Sequence, residues 1–207
     1  MADLSGKLGP IVGIADNKAK VDAYSALITE ILGGKNVPQA KAIVNHLLEP
    51  EVPLVVSRQA LHFFAIKLKD VDNENVLPIA EHSVQAIAPK VTSFEEEDAI
   101  IRDQLAEVLS AKGDFIGAAQ VLTVINMEGS SKNYTSAEKC EKYVQIAELF
   151  LEGDDSVSAE SYISKSSMII FEVTDVVLQL RHRVCHTRVL DARRDFLSAA
   201  RSYFTLS

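Results

Sequence analysis

Three side chains that could bind a metal lie close together near the carboxyl end of the chain: His182, Cys185 and His186. Spacings of three and four residues place side chains on one face of a helix, so a metal pair there is geometrically possible. A tetrahedral zinc site needs further ligands, and the neighbouring sequence supplies none. We therefore predict that these residues pack or face solvent and hold no metal.

A run of four acidic residues, Glu95 to Asp98, offers carboxylates for acid–base catalysis or for a cation. Ser93 precedes the run and Glu96 follows Ser93 by three residues, which is the pattern of a capping box at the start of a helix. The helix dipole stabilises negative charge in a first helical turn. We favour this structural interpretation over a catalytic one.

Two glycine-rich segments resemble phosphate-binding loops in composition. In residues 33–36, Gly-Gly-Lys-Asn, the Ser or Thr that binds magnesium in a phosphate loop is replaced by Asn36, so a helix end is predicted. Gly6, Gly9 and Gly13 lack the dinucleotide-binding spacing and follow no strand, so flexible backbone is predicted there. The sequence therefore predicts no catalytic residue, no cofactor and no metal site.

Composition argues against several further function classes. The 207 residues carry 21 Lys and Arg against 29 Asp and Glu, and the net charge of −8 repels a phosphate backbone, so we expect no nucleic-acid partner. Two cysteines are too few for a disulfide framework and indicate a reducing compartment. The longest uncharged stretch, 115–127, is shorter than the roughly 20 residues of a membrane helix. We expect no membrane partner either.

Apolar residues at intervals of three and four predict four helices in the first half of the chain, with apolar stripes near 21–31, 43–48, 54–68 and 76–87. Prolines at 38, 50, 53 and 89 mark where helices start or end. Brief loops would join these helices into two antiparallel hairpins. We predict that residues 1–90 form an amino-terminal helical arm.

The second half repeats at intervals of 41 and 40 residues around Asp114, Asp155 and Asp195. A small residue stands eight positions before each Asp and an alanine four positions after it. These six predicted hairpin-packing residues are Ala106, Ala118, Ala147, Ala159, Thr187 and Ala199. Small side chains let two helices cross closely, as in tetratricopeptide-like hairpins. We predict three such hairpins over residues 91–207.

Local signals support these boundaries. Gly113 and Gly153 are predicted at hairpin bends, and Thr135 with Glu138 forms a second candidate capping box. The predicted fold class is all-α, a right-handed α-solenoid of antiparallel helix hairpins of tetratricopeptide-like or HEAT-like type.

Two sets of side chains in the repeats have both a structural and a functional interpretation. Five arginines could dock an acidic partner, but solvation or pairing within the helix with Asp191 and Asp195 is favoured. They are Arg181, Arg183, Arg188, Arg193 and Arg194. Five aromatic residues are predicted in hairpin cores rather than on a binding surface. They are Tyr143, Phe150, Tyr162, Phe196 and Tyr203.

Three stretches carry a resemblance to a known family: Ser93–Glu96 through Ile101-Arg102 to Ala118–Leu122, then Tyr143–Glu160, then Val184–Ala200. A fourth, shorter stretch that carries the resemblance is Ser57-Arg58-Gln59. Together they resemble the PCI-domain subunits of the COP9 (constitutive photomorphogenesis nine) signalosome over most of residues 52–207. Residues 1–50 match only in helical character. The resemblance implies a helical-repeat arm followed by a winged helix, and we expect that this winged helix is missing from the chain.

The resemblance also implies a function. Such subunits are non-catalytic scaffolds of the enzyme that removes the ubiquitin-like modifier Nedd from cullins, and this chain has no His-x-His metalloprotease motif. The implied partners are other signalosome subunits and the cullin-RING ligase, through the cullin carboxy-terminal region and its RING protein. The implied localisation is nucleus and cytoplasm. No individual contact residue is assigned.

Two alternatives stay open. A paralogous PCI scaffold subunit of the proteasome lid or of a translation initiation factor would share the alanine spacing. A peptide-binding adaptor of tetratricopeptide type would need a carboxylate clamp of Lys, Asn and Arg, for which the first repeat offers only Arg102.

Overall fold

The computed structural model describes residues 2–129 and 132–206, which form eleven α-helices and no strand. The helices are α1 Ala2–Val12, α2 Asn17–Gly33, α3 Val37–Leu47, α4 Leu54–Lys67, α5 Asn73–Ile87, α6 Glu95–Ala111, α7 Phe115–Thr123, α8 Ser136–Glu152, α9 Ser156–Ser167, α10 Val176–Ala192 and α11 Phe196–Leu206. Short 3-10 turns occupy Leu68–Asp70, Ala88–Ser93 and Ile170–Glu172. The predicted all-α class is confirmed. Within the described ranges, no helix has the length and apolar character that a membrane crossing requires.

The chain divides into two compact units, Met1–Val108 and Leu109–Ser207. The division falls inside α6, so most of this helix belongs to the first unit and its last turn to the second. The predicted division into 1–90 and 91–207 stays a prediction.

The first unit contains the four helices predicted from apolar spacing. α2 packs against α4, and α3 packs against α5, so the apolar stripes of these helices share one core. The largest of its fully buried side chains are Tyr24, Ile28, Ile43, Leu47, Leu61, Phe64, Leu68, Ile79, Ile87 and Ile101. Burial of each aliphatic or phenylalanine side chain contributes about 1.5–3 kcal/mol.

The prediction of flexible backbone at the amino terminus is wrong, because α1 spans this segment. Leu4 and Ile11 are buried, and their spacing of seven residues places them on one face of α1, which packs against α2. Lys7 Nζ also lies 2.7 Å from Glu30 Oε1 of α2. Tertiary contacts therefore hold a glycine-containing helix that local propensity alone disfavours.

The two predicted capping boxes have different outcomes. At α8 the box is confirmed, because Thr135 Oγ1 accepts a hydrogen bond from the Glu138 amide at 3.2 Å and Glu138 Oε2 accepts one from the Thr135 amide at 2.8 Å. At α6 the predicted cap is wrong by one residue. The Phe94 carbonyl accepts the first helical bond, from the Asp98 amide, and Ser93 ends the preceding 3-10 turn. Burial of Phe94 sets this start.

One turn recurs four times, where α2, α6, α8 and α10 end and the next helix begins. Each turn has one residue in the left-handed region followed by an Asn or Asp. The pairs are Lys35-Asn36, Gly113-Asp114, Asp154-Asp155 and Arg194-Asp195, with φ of 51°, 83°, 61° and 64° at the first residue. The amide of each Asn or Asp bonds a carbonyl five residues earlier, at 2.9–3.3 Å. The side chain of each then caps the next helix through an amide three residues later.

Both predicted bend glycines, Gly113 and Gly153, lie in these turns, but only one of them adopts the left-handed conformation. Gly113 is left-handed as a bend glycine should be, whereas Gly34 and Gly153 have φ of −78° and −90° and close their helices. Lys35 and Asp154 adopt the left-handed conformation in those turns instead. The interpretation of residues 33–36 as a helix end is confirmed.

Candidate protein-interaction surfaces

All six predicted hairpin-packing residues are buried: Ala106, Ala118, Ala147, Ala159, Thr187 and Ala199. α7 packs against α8, α8 against α9, and α10 against α11. Thr187 Oγ1 donates a hydrogen bond to the Arg183 carbonyl at 2.8 Å and also lies against Ser202 Oγ, so its hydroxyl is satisfied inside the α10–α11 hairpin. That a larger side chain at these positions separates the helices stays a prediction.

The histidines and cysteine of α10 have structural surroundings. His182 is buried, its Nε2 lies 3.0 Å from Ser167 Oγ, and its burial lowers its pKa. The rings of His182 and His186 stack with centroids 6.2 Å apart. Burial raises the pKa of Cys185 to about 12, and it also raises the pKa of the buried Cys140. Both thiols therefore remain protonated near neutral pH, which removes them as nucleophiles.

Three of the five arginines, Arg181, Arg188 and Arg193, pair with acidic residues on other helices, so the predicted pairing within the helix is wrong for them. Arg183 and Arg194 are exposed, as the solvated alternative predicts. Arg181 Nη2 lies 2.7 Å from Glu148 Oε2, and Arg188 Nη2 lies 2.7 Å from Glu152 Oε1, both on α8. Arg193 pairs with Glu160 of α9. The partners are 33 to 36 residues away in sequence, so helical spacing could not reveal them.

Apolar side chains stand exposed on α10 and α11. They are Val176, Val177, Leu180 and Val184 on α10, and Phe196, Leu197, Tyr203 and Phe204 on α11, and we name this set the α10–α11 apolar surface. Phe196 is 62% exposed and Tyr203 is 45% exposed, so their predicted core positions are wrong. Tyr143 and Phe150 are buried as predicted, and Tyr162 stacks on Phe150 with centroids 5.9 Å apart.

A cleft of about 540 Å³ in the first unit brings α2, α4 and the start of α6 together. Arg58 and His62 of α4 and Glu96 and Glu97 of α6 line it with Phe63. The prediction that the acidic run is a plain first turn is incomplete. Glu97 is only 6% exposed, and burial raises its pKa.

Asp98 is buried too, and its Oδ2 accepts a hydrogen bond from Arg102 Nε at 2.6 Å. The burial of Asp98 raises its pKa, and the hydrogen bond from Arg102 partly offsets that shift. Gln104 of the same helix donates to the Ala65 carbonyl at 2.6 Å. The Gln104 hydrogen bond joins the middle of α6 to α4, whereas the Asp98–Arg102 pair lies within α6.

Helix hairpins with buried small residues and charge pairs between helices define a helical-repeat protein. The amino-acid sequence matches the protein family described as PSMD12/CSN4, N-terminal, over residues 14–207. The chain belongs to this family, which agrees with the predicted α-solenoid class.

Curated relatives carry the similarity further. The chain is 37% identical over 194 residues to COP9 signalosome complex subunit 4 of Arabidopsis thaliana, covering 94% of this chain and 49% of the relative. It is 33% identical over 203 residues to the Drosophila melanogaster subunit 4, covering 97% of this chain and 50% of the relative. The chain thus spans about half the length of the curated relatives it matches. The predicted resemblance is confirmed, and it includes the amino-terminal part that sequence reasoning had matched only in helical character.

Proposed function

We propose that this chain is the amino-terminal helical part of subunit 4 of a COP9 signalosome and works there as a non-catalytic scaffold. The observation that carries the proposal is the similarity to COP9 signalosome subunit 4 along nearly the whole chain, from a plant and an insect relative. The family named PSMD12/CSN4 supports the same assignment.

The non-catalytic part of the proposal is supported by the state of the reactive side chains. Cys140 and Cys185 are buried thiols with raised pKa values, and His182 is buried against Ser167. Neither thiol is therefore available as a thiolate nucleophile. In a complex of this kind the chemistry would belong to another subunit.

The partners we propose are other signalosome subunits and a cullin-RING ligase, contacted at the cullin carboxy-terminal region and its RING protein. The α10–α11 apolar surface supports contact with further protein of the assembled complex, because exposed apolar groups gain free energy when they are buried. Contribution to removal of the Nedd modifier from cullins, and localisation in nucleus and cytoplasm, belong to the same proposal.

The alternatives are less well supported. A tetratricopeptide-type carboxylate clamp would need Arg102 on an open face, but Arg102 is buried and paired with Asp98. A subunit of the proteasome lid or of an initiation factor is not favoured, because the relatives described above are COP9 signalosome subunits.

Affinity purification of the tagged chain from cells, with mass spectrometry of the bound proteins, tests the assignment. We expect other signalosome subunits, and recovery of proteasome-lid subunits in their place would contradict it. Leu197→Asp, at a residue 78% exposed on α11, should weaken this recovery. Val157→Asp, at a residue 75% exposed on α9, is the matched control and should leave recovery unchanged.

A separate pull-down tests the cullin contact. The purified chain is compared on immobilised cullin-RING complexes with and without the Nedd modifier. Stronger retention on the modified complex is expected. Equal retention on both would contradict recognition of the modifier, while leaving the subunit assignment to the first experiment.

A further inference from the structure

His62 of α4 and the consecutive Glu96 and Glu97 of α6 converge in the cleft of the first unit. Each offers one ligand atom, a ring nitrogen or a carboxylate oxygen, and these atoms all lie within 4.8 Å of one another. His62 stands 34 positions before Glu96 in the sequence. Helical spacing in the sequence therefore does not reveal that His62 lies beside these two carboxylates.

Glu97 is the buried member of this cluster. Burial raises its pKa, while its own backbone amide and the charges of His62 and Arg58 lower it. Within the described part of the chain, no direct ion pair joins it to another side chain. Burial of an unpaired carboxylate is costly unless a positive charge compensates it. Arg58 lines the same cleft, where its charge lowers the pKa of Glu97, and its Nε donates to the Ser93 carbonyl at 2.5 Å.

The chemistry of the three ligand atoms determines which cation they would prefer. One imidazole with two carboxylates suits a borderline ion such as Zn²⁺, whereas Mg²⁺ prefers oxygen ligands alone. Zinc lies about 2.0–2.2 Å from such ligands, so the ligand atoms of a tetrahedral site are roughly 3.3–3.6 Å apart. The ligand atoms lie within 4.8 Å of one another, so binding would require the side chains to move closer, and Glu96 is exposed and has room to rotate.

We propose that His62, Glu96 and Glu97 bind one Zn²⁺ ion in the cleft, with a fourth position open to water or to a ligand from a binding partner. Three protein ligands and one open position is a common zinc arrangement. The positive end of the α6 helix dipole repels a cation. The negative charges of Glu96 and Glu97 offset this repulsion. The bound ion would tie α4 to the first turn of α6. This proposal does not depend on the assignment to a signalosome.

Isothermal titration of the purified, metal-stripped chain with ZnCl₂ tests it. We expect one Zn²⁺ per chain and no heat from MgCl₂. His62→Ala and Glu97→Gln should each weaken binding on the order of 100-fold, since even an outer-shell partner of a metal ligand is worth about 10- to 100-fold. Glu107→Gln, at an exposed residue of the same helix, is the matched control and should bind as the wild type does.

Three results would overturn the proposal. They are no zinc binding at micromolar concentration, undiminished binding by both His62→Ala and Glu97→Gln, or loss of binding in His186→Ala, which would place the ion at the histidine pair of α10. Circular dichroism in EDTA checks the fold of each variant. Glu96→Gln provides a third ligand variant at an exposed position, where folding is not at risk.

Discussion

The two compact units fill their interiors with side chains of different size. Of the twelve largest fully buried side chains, ten belong to Met1–Val108, and only Leu122 and Ile146 belong to Leu109–Ser207. The helices of the second unit meet instead at buried small residues such as Ala118, Ala147 and Ala159. They are also linked by exposed ion pairs between helices.

This difference predicts opposite sensitivities to mutation. A core of large side chains loses most when a side chain is shortened, because a cavity remains. Helices that cross at alanine lose most when a side chain is lengthened, because the crossing has no room for it.

The largest effect is expected from Phe64→Ala in the first unit. Phe64 is fully buried, so its truncation should lower the free energy of unfolding by about 3–5 kcal/mol. Urea unfolding followed by circular dichroism measures this change. The control is Phe171→Ala in the second unit, at a residue 77% exposed, which should change stability by less than about 0.5 kcal/mol. Equal losses of stability from Phe64→Ala and Phe171→Ala would contradict the idea that large buried side chains dominate the stability of the first unit.

Ala159→Leu in the second unit should cost about 1–3 kcal/mol, because the added atoms force α8 and α9 apart. Ala200→Leu adds the same atoms at an exposed position of α11 and serves as the control. Thermal melts of both variants provide the measurement. An unchanged melting temperature for Ala159→Leu would show that this crossing can accommodate a large side chain.

The cap of α9 should give a pH-dependent effect. Hydrogen bonds from Ser158 lower the pKa of Asp155 below its usual value. Its contribution to stability is therefore present above the unfolded-state pKa and is lost as the pH falls through the lowered one. Asp155→Ala should cost about 1 kcal/mol at neutral pH, and the loss should shrink in acid. Asp155→Asn keeps a capping oxygen that does not titrate, so it should stay near wild-type stability at neutral pH. A loss from Asp155→Ala that persists in strong acid would argue against the cap.

The smallest effect is expected from the ion pair of Arg188 with Glu152. Both side chains are more than one-third exposed, at 41% and 47%, so solvent screens their attraction. A double-mutant cycle with Arg188→Gln and Glu152→Gln should give a coupling of about 0.2–1 kcal/mol that decreases with added salt. A coupling above about 2 kcal/mol, insensitive to salt, would mean that the pair contributes as a buried one does.

Local patterns in the sequence predicted most of the fold. Helices α2 to α11, the repeat intervals and the capping box at Thr135 depend on spacing within a few residues, and such spacing is visible in one sequence. Helix α1 was missed because its glycines and Pro10 disfavour a helix locally. Its apolar face packs on α2, which single-sequence spacing cannot show.

The candidate sites were harder to predict, because they depend on residues that are distant in sequence. The sequence predicts Glu97 in a first helical turn, but its burial and its proximity to His62 depend on α4, which lies far away in sequence. Spacing predicted pairing within the helix for Arg181, Arg188 and Arg193, but α8 and α9 supply their partners. Periodicity also placed Phe196 on an apolar helix face without showing whether another element covers that face.

Cys140 of α8 and Cys185 of α10 are the two cysteines of the chain, and both are buried in the second unit. A thiol-labelling reagent can reach either sulfur only while the surrounding helices are transiently open. Under conditions where reclosing is fast, the labelling rate divided by that of an unfolded peptide gives the equilibrium constant for this opening. The two native cysteines therefore allow the transient opening of the second unit to be measured without a label added elsewhere in the protein.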